Sequence, residues 1–344
     1  MTRTNRVLNG NCNVGFHSGR LHAKNILAGK VDVALTTGDG TTTVTFARSM
    51  RSANYLVLTC PQESTSNDDL CVSVSTKTPQ SFVINVTSTN HSTALTVGFL
   101  ILDTYNSGEA THNLPSRSGF HSGYANFRNL QWGKARITVG AGAGTALTIK
   151  LTKPMKHKPL IFASFDENDT AVTAGFVYMA TGGAQTNKQF ILDVAGVAGP
   201  TGTVDVTWVA FDPGFNFGTA DLIGHTGSAK VEQNRQAKFG IHSGDFRAKN
   251  FVGAFMADAT DGNGDGSDTI TFGQMFRNKP LIFTMIQSPV NDTTGIPYAS
   301  TITINSAIVG VNNSVTTTAT AYFGVLAIDA EWLPTKAPES EMVT

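Results

Sequence analysis

The chain has 344 residues, and its 25 Lys and Arg balance its 25 Asp and Glu, so the formal net charge is zero. Charged residues are only 15% of the chain, against a usual share of about 25%; that neutrality argues against a nucleic-acid-binding surface and against long-range electrostatic capture of a partner. Hydrophobic residues at 40% argue against charge-driven disorder, and 34 glycines among abundant Thr, Ser and Asn point to a β-rich chain with many turns.

From the amino end, Met1–Arg6 leads into no apolar segment, which predicts no secretory leader. Residues 1–14 read as an arm. Apolar runs such as Val97–Leu102 are strand-sized and fall short of the ~20 residues that a membrane helix needs. The cysteines are Cys12, Cys60 and Cys71. Cys60 and Cys71 are spaced to bracket a loop, and the sequence leaves thiols and disulfide both open. No CxxC pair points to structural zinc.

Internal repetition is the main signal. Gly15-Phe16-His17-Ser18-Gly19 recurs as Gly119-Phe120-His121-Ser122-Gly123 and as Gly240-Ile241-His242-Ser243-Gly244. Eight residues after each His stands an Asn preceded by a base: Lys24-Asn25, Arg128-Asn129 and Lys249-Asn250. A Gly-rich turn follows in each unit, at Thr37–Gly40, Gly140–Gly144 and Asp261–Asp268. Next comes an apolar strand: Tyr55-Leu56-Val57-Leu58, then Lys158-Pro159-Leu160-Ile161-Phe162, then Lys279-Pro280-Leu281-Ile282-Phe283. Each unit closes on a strand ending near Asp, at Leu95–Asp103, Val204–Asp212 and Ala321–Asp329.

These marks divide the chain into unit 1 (15–104), a linker (105–118), unit 2 (119–212), a long linker (213–239), unit 3 (240–330) and a tail (331–344). In Val204–Ala210, Val204, Val206, Trp208 and Ala210 share one face, the period of a half-buried antiparallel strand. Ser228–Phe239, in the long linker, is the one helical-looking stretch. The prediction is an all-β protein of three tandem antiparallel β-sandwich units, since a lone sheet cannot bury its apolar face. A closed pseudo-trimer and beads on a string both fit.

The unit resembles the H-type lectin fold, a six-stranded antiparallel β-sandwich. The resemblance lies in the leading apolar-x-Ser-Gly segment, the Pro-Leu-Ile-Phe central strand and the closing Val204-Asp205-Val206-Thr207-Trp208-Val209. It implies a sandwich, threefold association and binding of N-acetylgalactosamine-type sugars near subunit contacts. Related sandwiches are similar to modules of phage tails and capsid surfaces.

The repeated His17, Ser18, Asn25, His121, Ser122, Asn129, His242, Ser243 and Asn250 form a structural or ligand motif. No carboxylate recurs beside all three histidines to orient a base, so no catalytic residue is expected. Asp261, Asn263 and Asp265 alternate as the oxygen ligands of a calcium loop do and, with Asp268, are the candidate metal ligands for a structural calcium, the alternative being a plain polar hairpin turn. Elsewhere no cofactor is expected. Asp166-Glu167-Asn168-Asp169 and Asn67-Asp68-Asp69 read as acidic turns.

The functional expectation is a non-enzymatic structural protein of a virus-particle exterior: capsid decoration, minor capsid protein, spike or tail component. It would be made in the host cytoplasm and placed on the virion surface, with other virion proteins as partners in an oligomer or lattice, and with no membrane span. The alternative is a carbohydrate-binding lectin or host-receptor-binding protein that takes a glycan, three sites in one chain raising avidity.

Overall fold

A computed structural model describes residues 10–16, 19–36, 38–46, 49–50, 52–63, 70–88, 94–103, 114–120, 123–139, 145–168, 174–179, 185–197, 202–212, 235–241, 244–260, 266–272, 276, 279–289, 295–313 and 320–328. These residues form 21 strands in small antiparallel sheets that pack into larger units. The first repeat holds β1 (Gly10–Phe16), β2 (Gly19–Val33), β3 (Gly40–Thr45), β4 (Tyr55–Pro61), β5 (Leu70–Thr78), β6 (Ser81–Ser88) and β7 (Leu95–Asp103). The second holds β8 (Leu114–Phe120), β9 (Gly123–Val139), β10 (Leu147–Lys150), β11 (Leu160–Asn168), β12 (Ala174–Met179), β13 (Gln189–Val197) and β14 (Gly202–Phe211). The third holds β15 (Arg235–Ile241), β16 (Gly244–Thr260), β17 (Gly266–Thr271), β18 (Leu281–Pro289), β19 (Gly295–Ser300), β20 (Ser306–Asn313) and β21 (Thr320–Ile328).

Each repeat makes one four-stranded and one three-stranded sheet of the same order: β1-β2-β7-β4 with β3-β6-β5, β8-β9-β14-β11 with β10-β13-β12, and β15-β16-β21-β18 with β17-β20-β19. Alternating burial along Ser81–Ser88 puts Phe82, Ile84 and Val86 inside, as period-two side-chain direction requires. In the first repeat they meet Val57, Val97 and Phe99 of the other sheet in one apolar cluster.

The repeats start earlier than their shared pentapeptide suggests. β1, β8 and β15 extend into the segments read as arm and linkers, because the pentapeptide marks where a hairpin turns and not where it begins. Phe16 pairs with Gly19, Phe120 with Gly123 and Ile241 with Gly244. The intervening His17-Ser18, His121-Ser122 and His242-Ser243 lie outside the described residues, as does 228–234 of the helical-looking stretch. Its remainder, from Arg235, is strand β15.

The repeated base-Asn pair has a backbone reason. Ala23 pairs with Cys12 but Leu27 with Asn11, so the long strand carries three extra residues, Lys24-Asn25-Ile26. The register breaks by the same amount around Arg128-Asn129, between Asn126 and Gln131, and around Lys249-Asn250, between Arg247 and Val252. Such a bulge bends a strand and ends one pairing so that another can begin. Here β2 takes up β7 at Ile26, β9 takes up β14 at Leu130 and β16 takes up β21 at Phe251.

A second repeated device ties the sheets together. Thr78, Thr186 and Thr303 each accept, at the side-chain oxygen, backbone N–H bonds from residues two and three further on. The turns so fixed receive Phe46 and Met50, Leu151 and Met155, and Phe272 and Phe276 through backbone hydrogen bonds of 2.6–2.9 Å. In the Gly-rich turn expected at Thr37–Gly40, where Thr37 lies outside the described residues, Gly38 has φ 97° and Thr36 and Asp39 exchange hydrogen bonds.

The central strands are buried on both faces. In β4, Tyr55 and Val57 belong to the first repeat's own cluster, whereas Leu56, Leu58 and Cys60 join a larger cluster with residues of the other two repeats. In β18, Ile282 and Ile286 face the third repeat's cluster, and Leu281, Phe283 and Met285 face the shared one. β4, β11 and β18 touch one another pairwise, and the outer hairpins touch in a cycle, β1 with β16, β15 with β9 and β8 with β2. Cys60 and Cys71 are buried free thiols.

Candidate functional site

The three places where one repeat meets the next carry the most specific polar chemistry among the described residues. Their equivalence follows from register. Leu56, Leu160 and Leu281 pair with Leu102, Phe211 and Ile328, each of which precedes the closing Asp. Counting six residues on from those leucines gives Gln62, Asp166 and Gln287. Counting four back from their partners gives Gly98, Thr207 and Gly324.

Two junctions are neutral clasps. Gln62 of the first repeat donates from Nε2 to the Ile282 carbonyl (2.6 Å) and accepts the Ile282 N–H at Oε1 (3.1 Å). Gln287 of the third repeat does the same to Ile161 of the second, at 2.5 and 3.0 Å. Glycine makes room for both. A Cβ on Gly98 would stand 2.8 Å from Gln62 Nε2, and one on Gly324 would stand 2.9 Å from Gln287 Nε2. Gln287 and Asp166 occupy bulges of β18 and β11, between Ile286 and Ser288 and between Phe165 and Glu167, which re-aims their side chains out of the regular alternation.

The third junction differs. The fully buried Asp166 is held between Lys77 Nζ, from the first repeat, and Lys134 Nζ, from its own. Asp166 is therefore no turn residue, correcting the expectation. Its run of polar neighbours looks like a turn, but the bulge carries the carboxylate inward. Burial outweighs the carboxylate's pull on Lys77, whose pKa is pushed down to about 8, and the Tyr55 ring lies 6.0 Å from that ammonium. Thr207 stands in the glycine position, buried, its hydroxyl without a hydrogen-bond partner among the described residues. The backbone contact made elsewhere by Gln falls to Ser164, whose hydroxyl donates to the Val57 carbonyl (3.1 Å) and accepts the Thr59 N–H (3.2 Å).

Outside this cluster, Arg136 forks onto Asp205 at 2.6 and 2.8 Å and holds that carboxyl below its usual pKa. Asp212 accepts the backbone N–H groups of Lys156 and His157 and meets His157 Nδ1 at 2.9 Å, fastening the chain ahead of β11. The cleft where all three repeats meet, lined in part by Cys60, Ser164 and Thr284, has a volume of about 50 Å³, water-sized rather than sugar-sized. Cys60 Sγ lies 3.5 Å from Thr284 Oγ1 across it.

Of the sequence-derived site residues, Asn25, Asn129 and Asn250 lie at the register breaks. Asp261, Asn263 and Asp265 lie outside the described residues, as do Asn67-Asp68-Asp69 and Asp169. Asp268 lies in β17, where its carboxylate accepts the Thr269 N–H. Among the described residues no group of three His, Cys, Asp or Glu is placed to hold a metal, and no helix is long and apolar enough to cross a membrane. Compared with known protein families, curated proteins and solved structures, the chain matches none.

Proposed function

We propose that this chain is a non-enzymatic structural protein whose three repeats are β-sandwiches closed into a pseudo-trimer, and that it serves on the exterior of a virus particle as a capsid decoration, minor capsid, spike or tail component. The observation that carries the reading is the pairwise contact of β4, β11 and β18 around a shared apolar cluster. A chain built to bury three similar strands against one another presents three similar outer surfaces, the requirement for a threefold or quasi-threefold position in an assembly. The low charge and the resemblance to phage surface modules support the placement on a particle.

The test is peptide mass spectrometry and electron cryomicroscopy of particles purified from the source. The expected result is this chain in regular copy number, with density on the exterior. Its absence from purified particles, together with sugar binding on a glycan array, would replace this reading with the lectin.

A further inference from the structure

We propose that the buried Lys77–Asp166–Lys134 cluster is a charge key that fixes which repeat docks on which, and so disfavours docking onto the mismatched repeats of a second copy. The inference rests on the closed three-repeat reading above. It starts from what the neutral clasps cannot do. Gln62 and Gln287 bind only a backbone N–H and C=O, groups that every repeat presents. A clasp of that kind holds two repeats together without identifying either.

The ionic junction does identify them. The turn threonines Thr78, Thr186 and Thr303 align the residues before them, so Lys77 corresponds to Gln185 in the second repeat and Ile302 in the third. Only the first repeat offers a cation there, and only the second offers a carboxylate at its corner. Docked on a third repeat of another copy, Asp166 would face Ile302 in place of Lys77. A glutamine corner docked on a first repeat would leave Lys77 buried with no carboxylate. The first wrong pairing costs Asp166 one of its two ammonium partners and leaves it Lys134, whereas the second strands the Lys77 charge, and such penalties against competitors set specificity. Fixing register is the best-attested use of a buried ionic group. The glycine-to-threonine change at 207 belongs to the same device, since the position needs no space for a glutamine.

The test is to unfold and refold the full chain over a range of concentrations and to measure size by light scattering and native mass spectrometry. Wild type is expected to refold as a monomer throughout. The triple variant Lys77→Gln, Asp166→Gln, Thr207→Gly, which makes all three junctions neutral, is expected to give an intermolecular dimer share about tenfold or more above wild type, rising with concentration. Equal, low dimer shares in variant and wild type would overturn the key alone. A wild type that itself refolds into concentration-dependent mixtures would overturn the closed reading and the key with it. Should the triple variant not refold, Lys77→Gln alone gives the same readout: more dimer than wild type supports the key, and no change rejects it.

Discussion

The Gln62 and Gln287 junctions and the Asp166 junction occupy equivalent positions in one chain and solve one problem in two ways. The first two satisfy a neighbour's backbone with an uncharged amide and clear space for it with Gly98 and Gly324. The third places a carboxylate between two ammonium groups and fills the glycine position with Thr207. The difference separates adhesion from recognition. A neutral pair of hydrogen bonds contributes about 1 kcal/mol each and tolerates any partner backbone. A buried ion cluster adds little net stability over an apolar substitute but is costly to break, because a removed partner leaves a charge stranded.

The largest effect expected from breaking this contrast is therefore at Asp166. Asp166→Asn leaves Lys77 and Lys134 facing each other in a buried site and should cost about 3–5 kcal/mol in urea unfolding. Adding Lys77→Met should recover a large part of that loss. If the single variant is as stable as wild type, the ionic junction is not a buried cluster. Smaller losses are expected at the neutral corners. Gln287→Ala removes both partners of the Ile161 peptide groups and should cost about 1–3 kcal/mol by the same assay. Gly324→Ala should cost a similar amount, because its Cβ displaces the Gln287 amide.

The pH dependence sharpens the comparison. Lys77 is held at about 8 in the folded chain against an ordinary 10.5, so between those values the unfolded chain binds more protons and stability rises with pH. Below about pH 8 the lysine is charged in both states, and its burial penalty is constant. Burial raises the Cys60 and Cys71 thiols, which lowers stability above about pH 9 in wild type and variant alike, so the readout is a difference: between pH 7 and 10 the urea midpoint of wild type should rise relative to that of Lys77→Met, and identical slopes would remove Lys77 as a source. The smallest effect is expected at Arg136→Ala. Its side chain is 66% exposed, and a surface pair of this kind contributes about 1 kcal/mol or less.

The repeat and its strands were legible in the sequence because they are written locally. The Gly-Phe-His-Ser-Gly pattern, the Pro-Leu-Ile-Phe strands and the closing strands near Asp each lie within a few residues. The junctions were not legible, because equivalence of Gln62, Asp166 and Gln287 appears only once the pairing register is known. Asp166 sits in a run of polar residues that reads as a turn, and its partner Lys77 is 89 positions away. The turn threonines could have been found by aligning the repeats, since Thr78, Thr186 and Thr303 all precede the sixth strand of their unit by three residues. The early starts of β1, β8 and β15 were hidden because the shared motif falls at the hairpin's far end.

The three repeats are expected to stand or fall together through these junctions. Native-state hydrogen exchange read by mass spectrometry on peptides from β4, β11 and β18, in wild type and Asp166→Asn, tests it directly. One common opening free energy is expected for the three strands in wild type, with a drop of similar size in all three in the variant, including β18, which contributes no side chain to the ionic cluster. Three separate opening energies, or a loss of protection confined to β4 and β11, would contradict it.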